Sequence, residues 1–224
     1  YAAGQAMGKT KELTTKEWKQ AIDNLEKARV PMVTFTGGEP TMRKDITELV
    51  SYAKRMVTRL NTNGVNLTPE LVTKLKDAGL DSLQVTLYSS DEKIHNALVG
   101  CEHYADTVQG IRNAVAAGLD ISINTPLCQK NADYNNTLAF IHSLGVNFVT
   151  ISGLICTGMA GINHNDYDLS SQELLEIVKD AKEFCNTSGM EIDFTSPGLI
   201  DAKELDKLGM NVPMCGAALS NMAI

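Results

Sequence analysis

The 224-residue chain has no Cys-x-x-Cys pair. Its five cysteines, Cys101, Cys128, Cys156, Cys185 and Cys215, form an odd, widely scattered set. That is not a disulfide framework; it fits a reducing compartment, and a cytoplasmic location is expected. No complete metal site can be built from those spacings alone. Long apolar runs are missing too, and no uninterrupted stretch is long enough to span a bilayer. Positive charge is scarce: 20 Lys and Arg against 27 Asp and Glu give a net charge of −7. This argues against a nucleic-acid or anionic-membrane partner. The chain opens on Tyr-Ala-Ala-Gly-Gln, neither an initiator methionine nor a signal peptide, and stops on Ser-Asn-Met-Ala-Ile. Both ends read as cut, so a fragment of a longer protein is expected.

What is present is an ordinary globular composition, 43% apolar and 21% charged, on a chain long enough for one large core. Helix signals recur. Thr14 with Glu17 forms a capping box ahead of Trp18, Ile22 and Leu25, and Asp45 with Glu48 repeats it ahead of Ile46, Leu49 and Val50. Thr68 caps a third helix with Pro69 at its first position, and Gly79 ends it. A loop follows the next strand, and then Tyr104, Val108, Ile111 and Val115 mark a fourth helix. Leu138, Phe140 and Ile141 mark a fifth, and Ser170 with Glu173 opens another. Between them lie short apolar runs: Met32 to Phe35, read as buried on both sides, Val57 to Asn61, Leu83 to Leu87, Ile121 with Ile123, Phe148 to Ser152, and Ile192 with Phe194. Strand alternating with Gly-terminated helix predicts an α/β fold with a parallel sheet.

In such folds the C-terminal ends of the strands share one face, where sites are built. The tips are Gly37-Gly38-Glu39, Thr62-Asn63-Gly64, Thr86 to Ser90, Asn124-Thr125, and Thr150 to Gly153. Nearly all end in small polar residues, which core packing does not demand. Together they favour a site for a polar, amino-acid-like or nucleoside-like ligand. At the first tip two glycines let backbone approach a ligand, and Glu39 is held extended by Pro40. A turn that needs Gly, Gly and Pro for geometry alone is the plainer reading of that stretch.

Gly37-Gly38-Glu39-Pro40 followed by Asn61-Thr62-Asn63-Gly64 closely resembles the radical S-adenosylmethionine (radical SAM) enzymes. Val85-Thr86-Leu87-Tyr88-Ser89, Ile94-His95, and Asn124-Thr125 with Asn131 support the resemblance, which runs from Tyr1 to about Leu154. It implies a partial (β/α)6-type parallel barrel over residues 1–195. It also implies that the carbonyls of Gly37 and Gly38 and the Glu39 carboxylate accept from the cofactor's ammonium. Thr86 stands where the family has a serine on its fourth strand and would donate to the cofactor's carboxylate. Asn124 would meet the ribose or the carboxylate, since an amide both donates and accepts. Backbone near Ile151 and Ser152 would border the adenine, and Asn63 would lie near the cluster end.

The family's three cysteines, spaced Cys-x-x-x-Cys-x-x-Cys, hold a [4Fe–4S] cluster and are absent from this sequence. Tyr1-Ala2 looks like the pair that follows that motif, so the cluster ligands are expected upstream of Tyr1, with the first strand. A degenerate, inactive relative is the other explanation. Without the thiolates nothing delivers an electron to the sulfonium, and this chain alone is expected to be inert. Val212-Pro213-Met214-Cys215-Gly216 resembles the start of a SPASM extension, making 196–224 a linker and the beginning of that module, with Cys215 as first ligand of an auxiliary [4Fe–4S] cluster. The resemblance implies a 5′-deoxyadenosyl radical acting on a peptide or protein under maturation, with a flavodoxin or ferredoxin as electron donor. Cofactor or haem biosynthesis on a small-molecule substrate, and a non-catalytic barrel that binds SAM or a peptide, are the alternatives.

Overall fold

The computed structural model describes residues 12–153, 167–196 and 198–211. Strands β1 (Met32–Phe35), β2 (Val57–Thr62), β3 (Ser82–Thr86), β4 (Ile121–Leu127), β5 (Phe148–Gly153) and β6 (Glu191–Phe194) form one sheet, in spatial order β1 to β6. Every neighbouring pair is parallel. Helix α1 (Thr15–Lys27) precedes β1. Then come α2 (Ile46–Tyr52), α3 (Pro69–Asp77), α4 (Glu92–Val99), α5 (Tyr104–Ala116), α6 (Tyr134–Ser143) and α7 (Ser171–Ser188), with α8 (Ala202–Lys207) after β6. None of the described helices is long and apolar enough to cross a membrane.

Spatial order that follows chain order dictates where the helices go. Parallel crossovers are right-handed, so a sheet that always advances one way carries its helices on one face. Burial agrees. Leu60, Leu83, Val85, Ile123, Val149 and Ile192 alternate along the strands and pack in one core with Val72, Ile111, Leu138 and Val178 from the helices. Residues of the opposite parity, among them Arg59, Asn61, Gln84, Thr86, Asn124, Ser152 and Asp193, are half-buried and contribute nothing to that core. The result is an arc of a β/α barrel with helices outside and a bare polar concave face. Among the described residues β1 and β6 each have a single strand neighbour, so the arc is open.

The local signals explain most elements. Thr14 accepts from the Glu17 N–H while Glu17 returns the bond, and Ser170 with Glu173 does the same at α7. Thr68 caps α3 as expected, with Pro69 at its first position. Four expectations need correction. Asp45 makes no side-chain cap, because Arg43 grips its carboxylate through Nε (3.0 Å) and Nη2 (2.9 Å) and Thr15 Oγ1 donates to it as well (2.7 Å). Those bonds, Arg43's above all, hold the Asp45 carboxyl below the usual range. Residues 92–99, expected as loop, are helix α4, capped by Asp91 and ended by Gly100 in the left-handed region. Met32–Phe35 is not buried on both sides: it is an edge strand with one face bare, and Met32 is 43% exposed. Residues 202–207, expected in a linker, are helix α8, whose Leu205 joins the main core beside Ile200 and Met210. Tyr1-Ala2, Cys156 and Cys215 lie outside the described residues.

Candidate functional site

The β1 tip is open where the ligand reading needs it open. A Cβ built on Gly37 or Gly38 would meet nothing within 4 Å, and among the described residues neither carbonyl accepts a backbone hydrogen bond. Gly37 sits at φ +130°, which side-chain-bearing residues rarely adopt. Glu39 behaves differently from a free acceptor. Its Oε1 takes the Thr41 N–H (3.0 Å), the Thr41 hydroxyl (2.6 Å) and the Thr62 hydroxyl (2.7 Å), and its Oε2 takes the Asn63 N–H (2.8 Å). The carboxylate therefore ties the β1 tip to the β2 tip and caps the 3-10 turn Pro40–Met42. A carboxylate has about four lone-pair sites, so only Oε2, with a single partner, has acceptor capacity to spare.

Asn63 is exposed and closes a local turn, its Oδ1 accepting from the Val65 N–H (2.9 Å). Helix α5 fastens this tip from behind: Thr107 Oγ1 donates to the Asn63 carbonyl (3.0 Å) and Asn113 Nδ2 to the Leu67 carbonyl (2.7 Å).

Across β3, β4 and β5, Thr86 pairs in register with Asn124, and Asn124 with Thr150. Asn63 follows Thr62, whose partner is Val85, so it stands beside Thr86. The expected residues thus gather along one rim of the concave face. Asn124 Oδ1 accepts from the Thr150 hydroxyl (3.0 Å), which itself accepts from Gln84 Nε2 (3.2 Å). Ser152 is half-buried on the same face. Ile151 points its side chain into the helix-side core, and its carbonyl already accepts from the Thr195 N–H (2.8 Å) and hydroxyl (3.2 Å). The Gly153 N–H is engaged as well, donating to the Ser196 hydroxyl (2.9 Å).

Behind these tips sit two polar staples. Asn131, 3% exposed, donates from Nδ2 to the carbonyls of Tyr88 (2.8 Å) and Pro126 (3.0 Å) and accepts from the Cys128 N–H (2.7 Å). His95, 2% exposed, accepts from the Tyr88 N–H at Nδ1 (3.3 Å) and meets the rings of Tyr88 and Tyr104 edge-on. Burial pushes its pKa down to about 4, so the ring is neutral at pH 7.

Cys101 is exposed, whereas Cys128 and Cys185 are buried, and burial raises both buried thiols, Cys185 to about 11. Among the described residues no three His, Cys, Asp or Glu side chains stand together as a metal site. Of two surface clefts, one of about 510 Å³ lies between the start of α1 and Met42 and is lined on one side by Glu39, and one of about 340 Å³ surrounds Arg29 and Arg55, away from the strand tips. Sequence reasoning placed Thr62 and Thr150 among the strand tips without giving either a role, and it did not single out Gln84. The alternation of polar residues in Arg59-Leu60-Asn61 and Gln84-Val85-Thr86 was the signal available.

Residues 2–141 match the model of the radical SAM superfamily. The mycofactocin maturase MftC of Mycobacterium tuberculosis is 34% identical over 123 residues, covering 54% of this chain and 32% of that protein. The match thus spans about a third of the curated relative's length. Streptococcus suis SuiB bound to S-adenosylmethionine superposes with a TM-score of 0.72 at 15% identity, over 86% of this chain and 45% of SuiB. SuiB bound to the precursor peptide SuiA gives 0.70 at 15% identity, over 89% and 48%. At such identities the superpositions show a shared fold, and the motif-bearing family match goes further: the chain belongs to the radical SAM superfamily.

Proposed function

We propose that this chain is the S-adenosylmethionine-binding barrel of a radical SAM enzyme that modifies a peptide or protein. The observation that carries the reading is the polar concave face, ending at an open glycine tip, in a sheet whose other face is mainly apolar and packed against the helices. The residues fit the cofactor's methionine end. The carbonyls of Gly37 and Gly38 and Oε2 of Glu39 take the ammonium, Thr86 and Asn124 offer groups to carboxylate and ribose, and backbone at Ser152 borders the adenine. Bound there and reductively cleaved, SAM would supply the hydrogen-abstracting radical chemistry typical of the family. The residues of this chain orient the cofactor. Deeper in the trough, Arg59 and Asn61 offer polar contacts to an extended peptide.

A [4Fe–4S] cluster does not fit the described residues, which hold no cysteine triad, and no step is assigned to this chain through it. Ligands upstream of Tyr1, Cys215 as an auxiliary-cluster ligand, and a flavodoxin- or ferredoxin-type donor belong to the proposal. Peptide modification is supported by the maturase relative and by the solved SuiB–SuiA complex. The test is anaerobic reconstitution of the complete gene product with iron and sulfide, followed by an assay for 5′-deoxyadenosine under strong reductant. A cluster that forms without yielding that product sinks the catalytic reading. Acceleration by precursor peptides encoded beside the gene is the expected mark of a peptide substrate.

A further inference from the structure

We infer that Gln84 and Thr150 are positioning residues that turn the Asn124 side chain into a dedicated hydrogen-bond donor toward the bound ligand. This rests on the reading of the concave face as a SAM site and sharpens one part of it.

The three side chains belong to three successive strands and share the concave parity. Gln84 pairs in register with Ser122, and Asn124 with Thr150. A serine opposite Gln84 leaves room for the longer side chain to lie across β4, and Gln84 Nε2 reaches Thr150 Oγ1 at 3.2 Å. Thr150, 6% exposed, then donates its hydroxyl proton to Asn124 Oδ1 at 3.0 Å. A hydroxyl has one proton to give. With Gln84 donating in, the proton of Thr150 points out, toward Asn124. The acceptor of Asn124 is thereby engaged, while its Nδ2 has no partner among the described residues and the residue remains half-buried on the ligand face.

An unrestrained amide presents either its oxygen or its nitrogen. The relay selects the nitrogen, so the ligand atom that meets β4 is an oxygen with no proton to give, either of the carboxylate or of the ribose ring. The trough is then polarised: acceptors at Gly37, Gly38 and Glu39 on β1, a fixed donor on β4. A zwitterionic amino-acid end has one orientation that satisfies both.

The test measures SAM affinity by calorimetry, without reductant, on the reconstituted complete gene product. Thr150→Val is expected to weaken binding about fivefold or more, and Thr150→Ser to stay within about twofold of wild type. Gln84→Leu, at a less buried position, is expected to shift affinity the same way and covers the case in which Thr150→Val fails to fold. Asn124→Asp is expected to bind worse than Asn124→Ala, because it sets an acceptor against an acceptor. Decarboxylated SAM separates the two oxygens. If the Asn124→Asp defect vanishes with it, the partner is the carboxylate, and if it persists, the ribose; both results retain the relay. Wild-type affinity in Thr150→Val and Gln84→Leu alongside a weakened Asn124→Ala overturns the relay. So does wild-type affinity in Asn124→Asp with a weakened Asn124→Ala, since the amide then presents its oxygen. Unchanged affinity in Asn124→Ala instead removes Asn124 from the site, and the reading beneath the relay fails.

Discussion

A methyl group on Gly110 would stand 2.1 Å from the carbonyl oxygen of Gly64, so α5 and the β2 tip touch through two glycine backbones. Gly64 itself sits at φ +83°, and a Cβ there would come within 2.9 Å of Val85 Cγ1. The bonds from Thr107 and Asn113 lie on the same face of α5, so the helix sets the height of the tip that carries Asn63.

Helix propensity alone says Gly110→Ala should stabilise by about 1 kcal/mol. The contact says otherwise, because the methyl would meet backbone, which cannot swing aside. Overpacking of this kind costs about 1–3 kcal/mol, and a net loss of stability is expected. Urea denaturation checks the sign, and a stabilised Gly110→Ala would contradict the close approach.

Gly38→Ala should separate folding from binding. The added methyl meets nothing within 4 Å, and Gly38 lies outside the left-handed region. Stability should move by less than about 1 kcal/mol. The methyl does occupy space assigned to the cofactor, so SAM affinity should fall roughly tenfold. Equal affinity in the two proteins would place the ligand elsewhere.

Glu39→Gln keeps the shape and changes the chemistry. Four donors converge on the carboxylate, from Thr41 N and Oγ1, Thr62 Oγ1 and Asn63 N. A Gln side chain turns one oxygen into a donor, leaving at least one N–H facing another. A loss of about 1–3 kcal/mol is expected, read as a lower denaturation midpoint, with a change in hydrogen exchange at the Asn63 amide. Protection at that amide identical to wild type would contradict the bridge.

His95 gives the fold an acid limit. Its folded pKa is depressed to about 4 from an ordinary 6.5, so between those values the unfolded chain binds the proton and the folded one does not. Its contribution is therefore complete above pH 6.5 and is lost as pH falls toward 4, about 3 kcal/mol over the window. A His95→Gln variant, which keeps an acceptor without titrating, should show a flatter stability curve between pH 7 and 4.5. Parallel curves for the two proteins would show that the ring does not titrate this way.

How much of this was legible beforehand depends on the range of the interaction. The boxes at Thr14–Glu17 and Ser170–Glu173 act over three residues and were readable from spacing. Asp45 carried the same signal and misled, because Arg43 competes for its carboxylate and Thr15 reaches it from thirty residues away. Glu39 could be picked out as a candidate site residue, but its donors Thr62 and Asn63 lie at the tip of the next strand, beyond any local pattern. Helix α4 has an apolar stripe only eight residues long, with the polar His95 as its buried residue. Gln84 and Thr150 sit in plain alternation, yet alternation in one strand marks only a half-exposed face. It takes the order of the strands to align those faces into one trough.

That order also bears on how the chain reaches its fold. Every strand pairs with the one before it in sequence, and the widest separation between paired residues is 43, as from Val149 to Ile192. None of the described strands waits for a distant partner, so each of these helix-and-strand units can dock on the sheet as it leaves the ribosome. Such a sheet can extend one unit at a time, because from β2 to β6 each described strand finds its partner in the strand just before it.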